Sequence, residues 1–200
     1  MKKIAYANAV ADDKVRRFVP PVRVVRESAG VSDSAALLDG VHTQSFVHFN
    51  PRECVLPPGG EIILDFGLEL HGLLTVTTGC MKLSRARITF GESVSETLGT
   101  PTQDHAIHQE LLSLPQLGQV NFGQTAFRFV RLEIPADAPE VRLIGVVATA
   151  IYRDWEYRGT FLSDDERLNR IWEVGAYTVH LNCQDYIYDG VKRDRLVWMG

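Results

Sequence analysis

Cysteine is scarce: Cys54, Cys80 and Cys183 are the only three in 200 residues, and no two are spaced C-x-x-C. An odd count without paired spacing argues against a disulfide framework or a zinc site and leaves the thiols as small buried hydrophobes. No apolar run approaches the ~18 residues of a membrane-spanning helix, so no membrane partner is expected. Met1-Lys2-Lys3 followed by Ile4 to Ala11 has the outline of a signal peptide, but the apolar part is short and Asn8 interrupts it. A tail or a first edge strand is the expectation there, with the cytoplasm favoured as compartment. Charge of one sign is lacking too: the formal net charge is -4 and the Lys and Arg residues are spread out. That excludes the clustered basic face of a nucleic-acid binder. No cofactor or metal is called for, and helical periodicity is missing from most of the chain.

What is present is an ordinary globular composition, 45% hydrophobic and 23% charged, in a chain long enough to bury a core without disulfides. Up to about residue 158 the pattern is that of strands. Val22–Val25 is a short β-branched run, and Ser45–Phe49 alternates. Pro57-Pro58-Gly59-Gly60 signals a turn, followed by strands at Glu61–Phe66 and Leu73–Thr78. Ala86–Phe90 and Phe127–Ile134 keep a period of two, and Val141–Tyr152 is a long apolar strand or two meeting at Gly145. Short strands with Gly and Pro turns predict an antiparallel β-sandwich over residues 1–158. The polar stretch Ser93–Gly118 has no clear period and is expected to be a long excursion between strands. His105 and His108 lie in it and are expected to be exposed loop residues, since no third metal ligand is near them in sequence.

At Ser163 the pattern changes. Ser163-Asp164-Asp165-Glu166 has the form of a capping box. Leu168, Ile171, Trp172, Gly175 and Val179 then recur at helical spacing, predicting an amphipathic helix from Asp164 to about Asn182. A lone helix beyond a closed sandwich has nothing evident to pack on, so self-association through its apolar stripe is a possible substitute.

The segment Asp185–Gly200 gathers three carboxylates, three cations, two tyrosines and a tryptophan in sixteen residues. Sugar sites use this mixture: carboxylates for acid–base work and hydroxyl binding, aromatic rings against C–H faces, and arginine to hold carboxylates in place. Gly190 permits a sharp turn after Asp189. Arg193 and Arg195 flank Asp194 and would tend to keep it ionised. The same composition would also suit a salt-bridged surface loop at a helix end.

The run Asp189-Gly190-Val191-Lys192-Arg193-Asp194-Arg195-Leu196-Val197-Trp198-Met199-Gly200 resembles the active-site signature of the α-L-rhamnosidases, family 78 of the glycoside hydrolases. Gly159-Thr160-Phe161-Leu162-Ser163 and Leu168-Asn169-Arg170-Ile171-Trp172 resemble that family's approach to its first barrel helix. Leu64-Asp65-Phe66-Gly67 with Gly72, and Phe127–Leu132, resemble the sandwich that precedes the barrel. The resemblance covers roughly residues 60–200. It implies a mainly β accessory domain, 1–158, followed at 159–200 by the start of a truncated (α/α)6-barrel catalytic domain. It implies an inverting glycosidase that removes terminal α-L-rhamnose from glycosides or polysaccharides, with a rhamnoside as partner. Asp194 takes the place of the general acid, Asp189 that of a carboxylate binding sugar hydroxyls, Arg193 that of the orienting arginine, and Trp198 that of an aromatic wall. The family commonly has Glu at the acid position, one methylene longer than Asp. Its general base and most of its barrel would lie beyond Gly200, so the 200 residues are expected to be inactive alone. Two alternatives remain: a non-catalytic carbohydrate-binding sandwich, which exposed aromatic residues on one face would favour, and another (α/α)6-barrel glycosidase or phosphorylase.

Overall fold

The structure, a computed structural model, describes residues 13–40 and 52–197. The expected strand at 45–49, the N-terminal tail and Trp198 lie outside the described residues. The strands are β1 (Lys14–Val19), β2 (Arg23–Glu27), β3 (Cys54–Leu56), β4 (Glu61–Thr78), β5 (Ser84–Gly91), β6 (Gln109–Leu114), β7 (Gln119–Glu133) and β8 (Val141–Arg153). A 3-10 turn spans Ser34–Asp39, a short helix α1 spans Val94–Leu98, and a longer helix α2 spans Glu166–Asn182.

The Pro57–Gly60 turn closes with the Gly60 amide donating to the Pro57 carbonyl at 2.8 Å, and Gly59 takes φ 74°. That geometry launches β4. The strands pair antiparallel in the order β1-β8-β4-β7-β5-β6, with β2 added on β4 and β3 on β8. The sandwich arises because the long strands bend. Residues 61–65 of β4 pair with β2 and with residues 129–133 of β7, whereas residues 72–78 pair with β8 and with the first half of β7. One layer is therefore β2-β4-β7-β5-β6. The other is β8 with β1 and β3 on its outer side, then β4 and β7 again.

Inward side chains from both layers form one core: Ile62, Leu64, Ile88, Val130 and Leu132 from the first, Leu74, Val76, Leu143, Val146 and Ala148 from the second. Phe127 sits at the bend, 4.7 Å from the Phe90 ring and edge-on to Phe66 at 5.6 Å. Full burial of each such side chain stabilises by about 1.5–3 kcal/mol. Two glycines make the bend possible. Gly67 adopts φ 86°, with its amide held by Asp65 Oδ1 at 2.8 Å. Gly72 runs so close to β8 that a Cβ there would lie 1.9 Å from the Thr149 carbonyl oxygen.

Several expectations are corrected. The strands foreseen at 61–66 and 73–78 are one strand, because an irregularity between Asp65 and Leu70 bends the chain without reversing it. The 93–118 excursion contains α1 and β6, the latter pairing Gln109–Leu114 with β5. The N-cap of α2 is Asp165, which accepts from the Arg167 amide; Ser163 Oγ accepts instead from the Asp165 amide. A serine cap forms at α1 instead: Ser93 Oγ accepts from the Glu96 amide, and Glu96 Oε2 accepts from the amide of Glu92, one residue before the cap. The helix α2 also has a partner. Its last turns meet the sandwich through Tyr177 and Leu181, while Leu168, Ile171, Val174 and Val179 face outward. The three cysteines are buried and unpaired, and burial, with the charges of Glu27 and Asp33, pushes the Cys54 thiol up to about 12.

Candidate functional site

The segment after α2 folds back as a small loop. Cys183 caps the helix by donating to the Val179 and His180 carbonyls, and isolated bridges join Cys183 to Ile187 and Tyr188 to Val197. Asp189 closes the loop: its Oδ1 accepts from the Gly190 amide at 2.8 Å and the Leu196 amide at 2.9 Å. One carboxylate oxygen of this candidate sugar ligand is thus engaged in the loop's own structure. Asp194 and Arg195 both sit in the left-handed region, with φ 62° and 50°. Non-glycine residues there cost about 1–2 kcal/mol each, a strain that recurs at functional positions.

Two residues pin the loop. Val191 is buried with Ala126, Leu181 and Tyr177. Lys192, also buried, forms an ion pair with Glu96 of α1. Arg193 and Asp194 stay accessible, with Arg193 Nε 3.3 Å from Asp194 Oδ2 and His105 Nδ1 3.4 Å from Asp194 Oδ1. Of the two flanking arginines it is Arg193 that contacts Asp194; the charge of Arg195 bears on His71.

The facing wall comes from the excursion after β5. His108 is largely buried, with Nε2 2.8 Å from Asp104 Oδ1 and Nδ1 3.6 Å from Glu96 Oε1. Asp104 also accepts from the Ala106 amide and the Thr102 hydroxyl, and these contacts, with His108, hold its carboxyl down to about 2. Glu96 lies below the usual carboxylate range: burial would raise it, but the bond from Lys192 and the Glu92 amide outweigh burial. Asp104, His108, Glu96 and Lys192 therefore form one connected series of polar contacts from the excursion to the loop. Between them lies a cleft of about 430 Å³.

Glu69 of β4, next to Glu92, is driven the other way. Burial and the neighbouring Glu92 carboxyl, against the opposing pull of Lys192, raise it to about 7. Two residues on, His71 is buried with neither ring nitrogen in a hydrogen bond, although the Ile151 carbonyl and Gln184 amide lie near. Burial and the charge of Arg195 lower it to about 4.

A second cleft, about 640 Å³, opens between the sandwich and α2 and is lined by Tyr152, Trp155, Tyr157 and Tyr177 among others. His180 organises it. Its Nε2 faces the Arg153 carbonyl, which can only accept, so Nε2 carries the proton and Nδ1 accepts from the Tyr157 hydroxyl at 2.8 Å. Trp155 stacks on the same ring, 5.9 Å between centroids.

Asp189, Arg193 and Asp194 thus come together on one cleft. His105 is exposed as expected; His108 is not. Glu69, Glu92, Glu96, Asp104 and Lys192 were not singled out from the sequence, although the Ser93-x-x-Glu96 capping pattern could have revealed α1. Among the described residues, no group of three His, Cys, Asp or Glu is placed to hold a metal, and no helix is long and apolar enough to cross a membrane.

No protein-family model and no curated protein matches the chain. Solved structures do. A rhamnosidase from Klebsiella oxytoca with rhamnose bound superposes with a TM-score of 0.69 and 25% identity, over 94% of this chain and 39% of that one. A family GH78 rhamnosidase of Bacillus sp. GL1 gives 0.60 and 17%, over 83% of this chain and 17% of that one. An α-L-rhamnosidase from Dictyoglumus thermophilum gives 0.57 and 17%, over 92% and 18%. The fold of this chain is therefore shared with a segment of these rhamnosidases, spanning 39% of the first and less than a fifth of the other two.

Proposed function

We propose that this chain is part of an α-L-rhamnosidase-type glycosidase of the inverting class, with residues 1–158 as its accessory sandwich and 159–200 as the start of an (α/α)6-barrel catalytic domain. The observation that supports this most is the coverage of 94% of the chain by a rhamnosidase structure, at 25% identity, with the Asp189–Asp194 run lying on a cleft. Asp194 is the general acid that protonates the glycosidic oxygen. Arg193 orients it, the free oxygen of Asp189 binds a sugar hydroxyl, and Trp198 lines the sugar. Inversion needs a second carboxylate about 6.5–9.5 Å away, with room for a water; that base lies on helices outside these 200 residues. The same helices cover the outward stripe Leu168, Ile171, Val174 and Val179.

The test compares the 200-residue chain with the longer protein carrying the complete catalytic domain. The chain alone turns over no rhamnoside. In the longer protein, Asp194→Asn lowers kcat by about 10²–10⁴-fold on a rhamnoside with a poor alkoxide leaving group. The loss is smaller with nitrophenyl rhamnoside, whose leaving group needs less protonation. Asp189→Asn weakens binding of both substrates. Equal losses for Asp194→Asn on both would refute the acid role.

One observation favours a second reading, sugar binding without chemistry: Trp155 and Tyr157 are about half exposed on the aromatic cleft. Rhamnose binding by the 200-residue chain that is lost in Trp155→Ala would support it.

A further inference from the structure

We propose that the sandwich sets the geometry of the Asp194 loop: Glu96 of α1, through its ion pair with the buried Lys192, is a positioning residue for Asp194. The inference rests on the reading of Asp194 as general acid, and it gives the accessory domain a part in the reaction.

The need for an external hold comes from the loop's backbone. Asp194 and Arg195 are consecutive non-glycine residues in the left-handed region. Such conformations persist only where the surroundings over-determine them. Asp189 fixes the two ends of the loop, at the Gly190 and Leu196 amides. Between those ends only Val191 and Lys192 are buried. Val191 packs on Ala126, Leu181 and Tyr177, and apolar contact of this kind is non-directional. The charge-assisted bond of Lys192 is directional, so it is the contact that sets orientation.

The partner is built to hold still. Lys192 is 6% exposed, and a charge so buried needs a counter-charge. Glu69 keeps its proton up to about 7, which leaves Glu96, held below the usual carboxylate range, as the ionised partner. Glu96 belongs to α1, which packs against β5 and β7 and is capped by Ser93. Its Oε2 accepts from the Glu92 amide at 2.8 Å, and its Oε1 lies 3.6 Å from His108 Nδ1. On the loop side, Lys192 is followed by Arg193, whose Nε is 3.3 Å from Asp194 Oδ2. A displacement at Lys192 therefore moves the arginine and the acid together.

The test uses two variants of the longer protein, Glu96→Gln and Lys192→Met, the second close to lysine in length but uncharged. Each lowers kcat on methyl α-L-rhamnoside by about 10–100-fold, the scale of a misplaced reacting group, with KM unchanged. The loss is smaller on nitrophenyl rhamnoside, whose leaving group needs less protonation. Added to Asp194→Asn, Lys192→Met lowers kcat no further, because the residue it positions has lost its proton. Lys192→Arg keeps the cation and most of the activity. Asp137→Asn, which breaks the exposed ion pair with Arg85 at the other end of β5, costs nothing. A second readout is independent of activity. In the 200-residue chain the Cα carbon shifts of Asp194 and Arg195 report their left-handed backbone, and Lys192→Met moves them to unstructured values while those of Ile88 and Val146 stay. If cleavage depends on Asp194 but Glu96→Gln and Lys192→Met leave kcat unchanged, or lower it equally on both substrates, the positioning role is overturned and the glycosidase reading stands. If the Asp194 and Arg195 shifts do not move, the ion pair does not hold the loop and the inference is overturned whatever the activity. If the longer protein cleaves no rhamnoside, the glycosidase reading fails and the positioning of an acid fails with it.

Discussion

Glu69 and His71, two residues apart on β4, are both held in their neutral forms, one by a raised affinity for its proton and the other by a lowered one. Their effects on stability oppose each other. Glu69 titrates near 7 when folded against an ordinary 4.5, so between these values the folded chain keeps a proton that the unfolded chain releases, and stability falls as pH rises. His71 titrates near 4 when folded against an ordinary 6.5, so between these values the unfolded chain holds the extra proton, and stability rises with pH. From about pH 5 to 6.5 the two slopes offset each other. Glu69→Gln removes one of them, and the variant's urea midpoint rises over this interval by the equivalent of on the order of 1 kcal/mol, while the parent's stays nearly level. A level profile in the variant would refute the assignment. Neither residue was legible beforehand. An isolated Glu and His in an apolar run carry no local signal, and their environments come from Glu92 and Arg195, distant in sequence. Asp189, Arg193 and Asp194, which line one cleft, could be named together because they lie within one contiguous run of sequence.

Elements were legible where one local pattern decided them. The β5 alternation, the long apolar run of β8 and the α2 stripe are of this kind. β6 was missed because Gln109-Glu110-Leu111-Leu112-Ser113-Leu114 lacks β-branched residues and takes its strand form from pairing with β5. The cap of α2 moved from Ser163 to Asp165 because several adjacent side chains there can cap, and tertiary context chooses among them. β4 was split in two because Gly67 and Gly72 read as breaks. In the structure Gly67 provides the left-handed bend and Gly72 the close approach to β8. Gly72→Ala puts a methyl against the Thr149 carbonyl oxygen, and only backbone movement relieves it. We expect a loss of about 3 kcal/mol or more, read by calorimetry as a Tm lower by about 6–12 °C. A variant with an unchanged Tm would mean that β4 and β8 are not in this register.

At the scale of the molecule, both layers share β4 and β7, so neither layer has a complete set of strands without the other. Hydrogen exchange should report this. Amides of Ile62 and Ile88 in one layer and of Val76 and Val146 in the other exchange through one common opening. The first turns of α2, whose apolar side chains face outward, exchange faster than either layer. Separate opening energies for the two layers would contradict the shared-strand architecture. Neither cleft could have been found from the sequence, because each joins segments that only this bend and the docking of α2 bring together.

The shared strand also has a consequence for the chain as it is made. β4 ends at Thr78, but the last strand it pairs with, β8, ends at Arg153. At synthesis rates of roughly 5–20 residues per second, the intervening 75 residues (153 minus 78) take roughly 4–15 s to appear. Throughout that interval the second half of β4, Leu73-Leu74-Thr75-Val76, lacks its β8 neighbour, and until β7 has been made it lacks both strands that pair with it. The period before β8 emerges is therefore when this polypeptide is most open to capture by a chaperone or by another unfinished copy of itself.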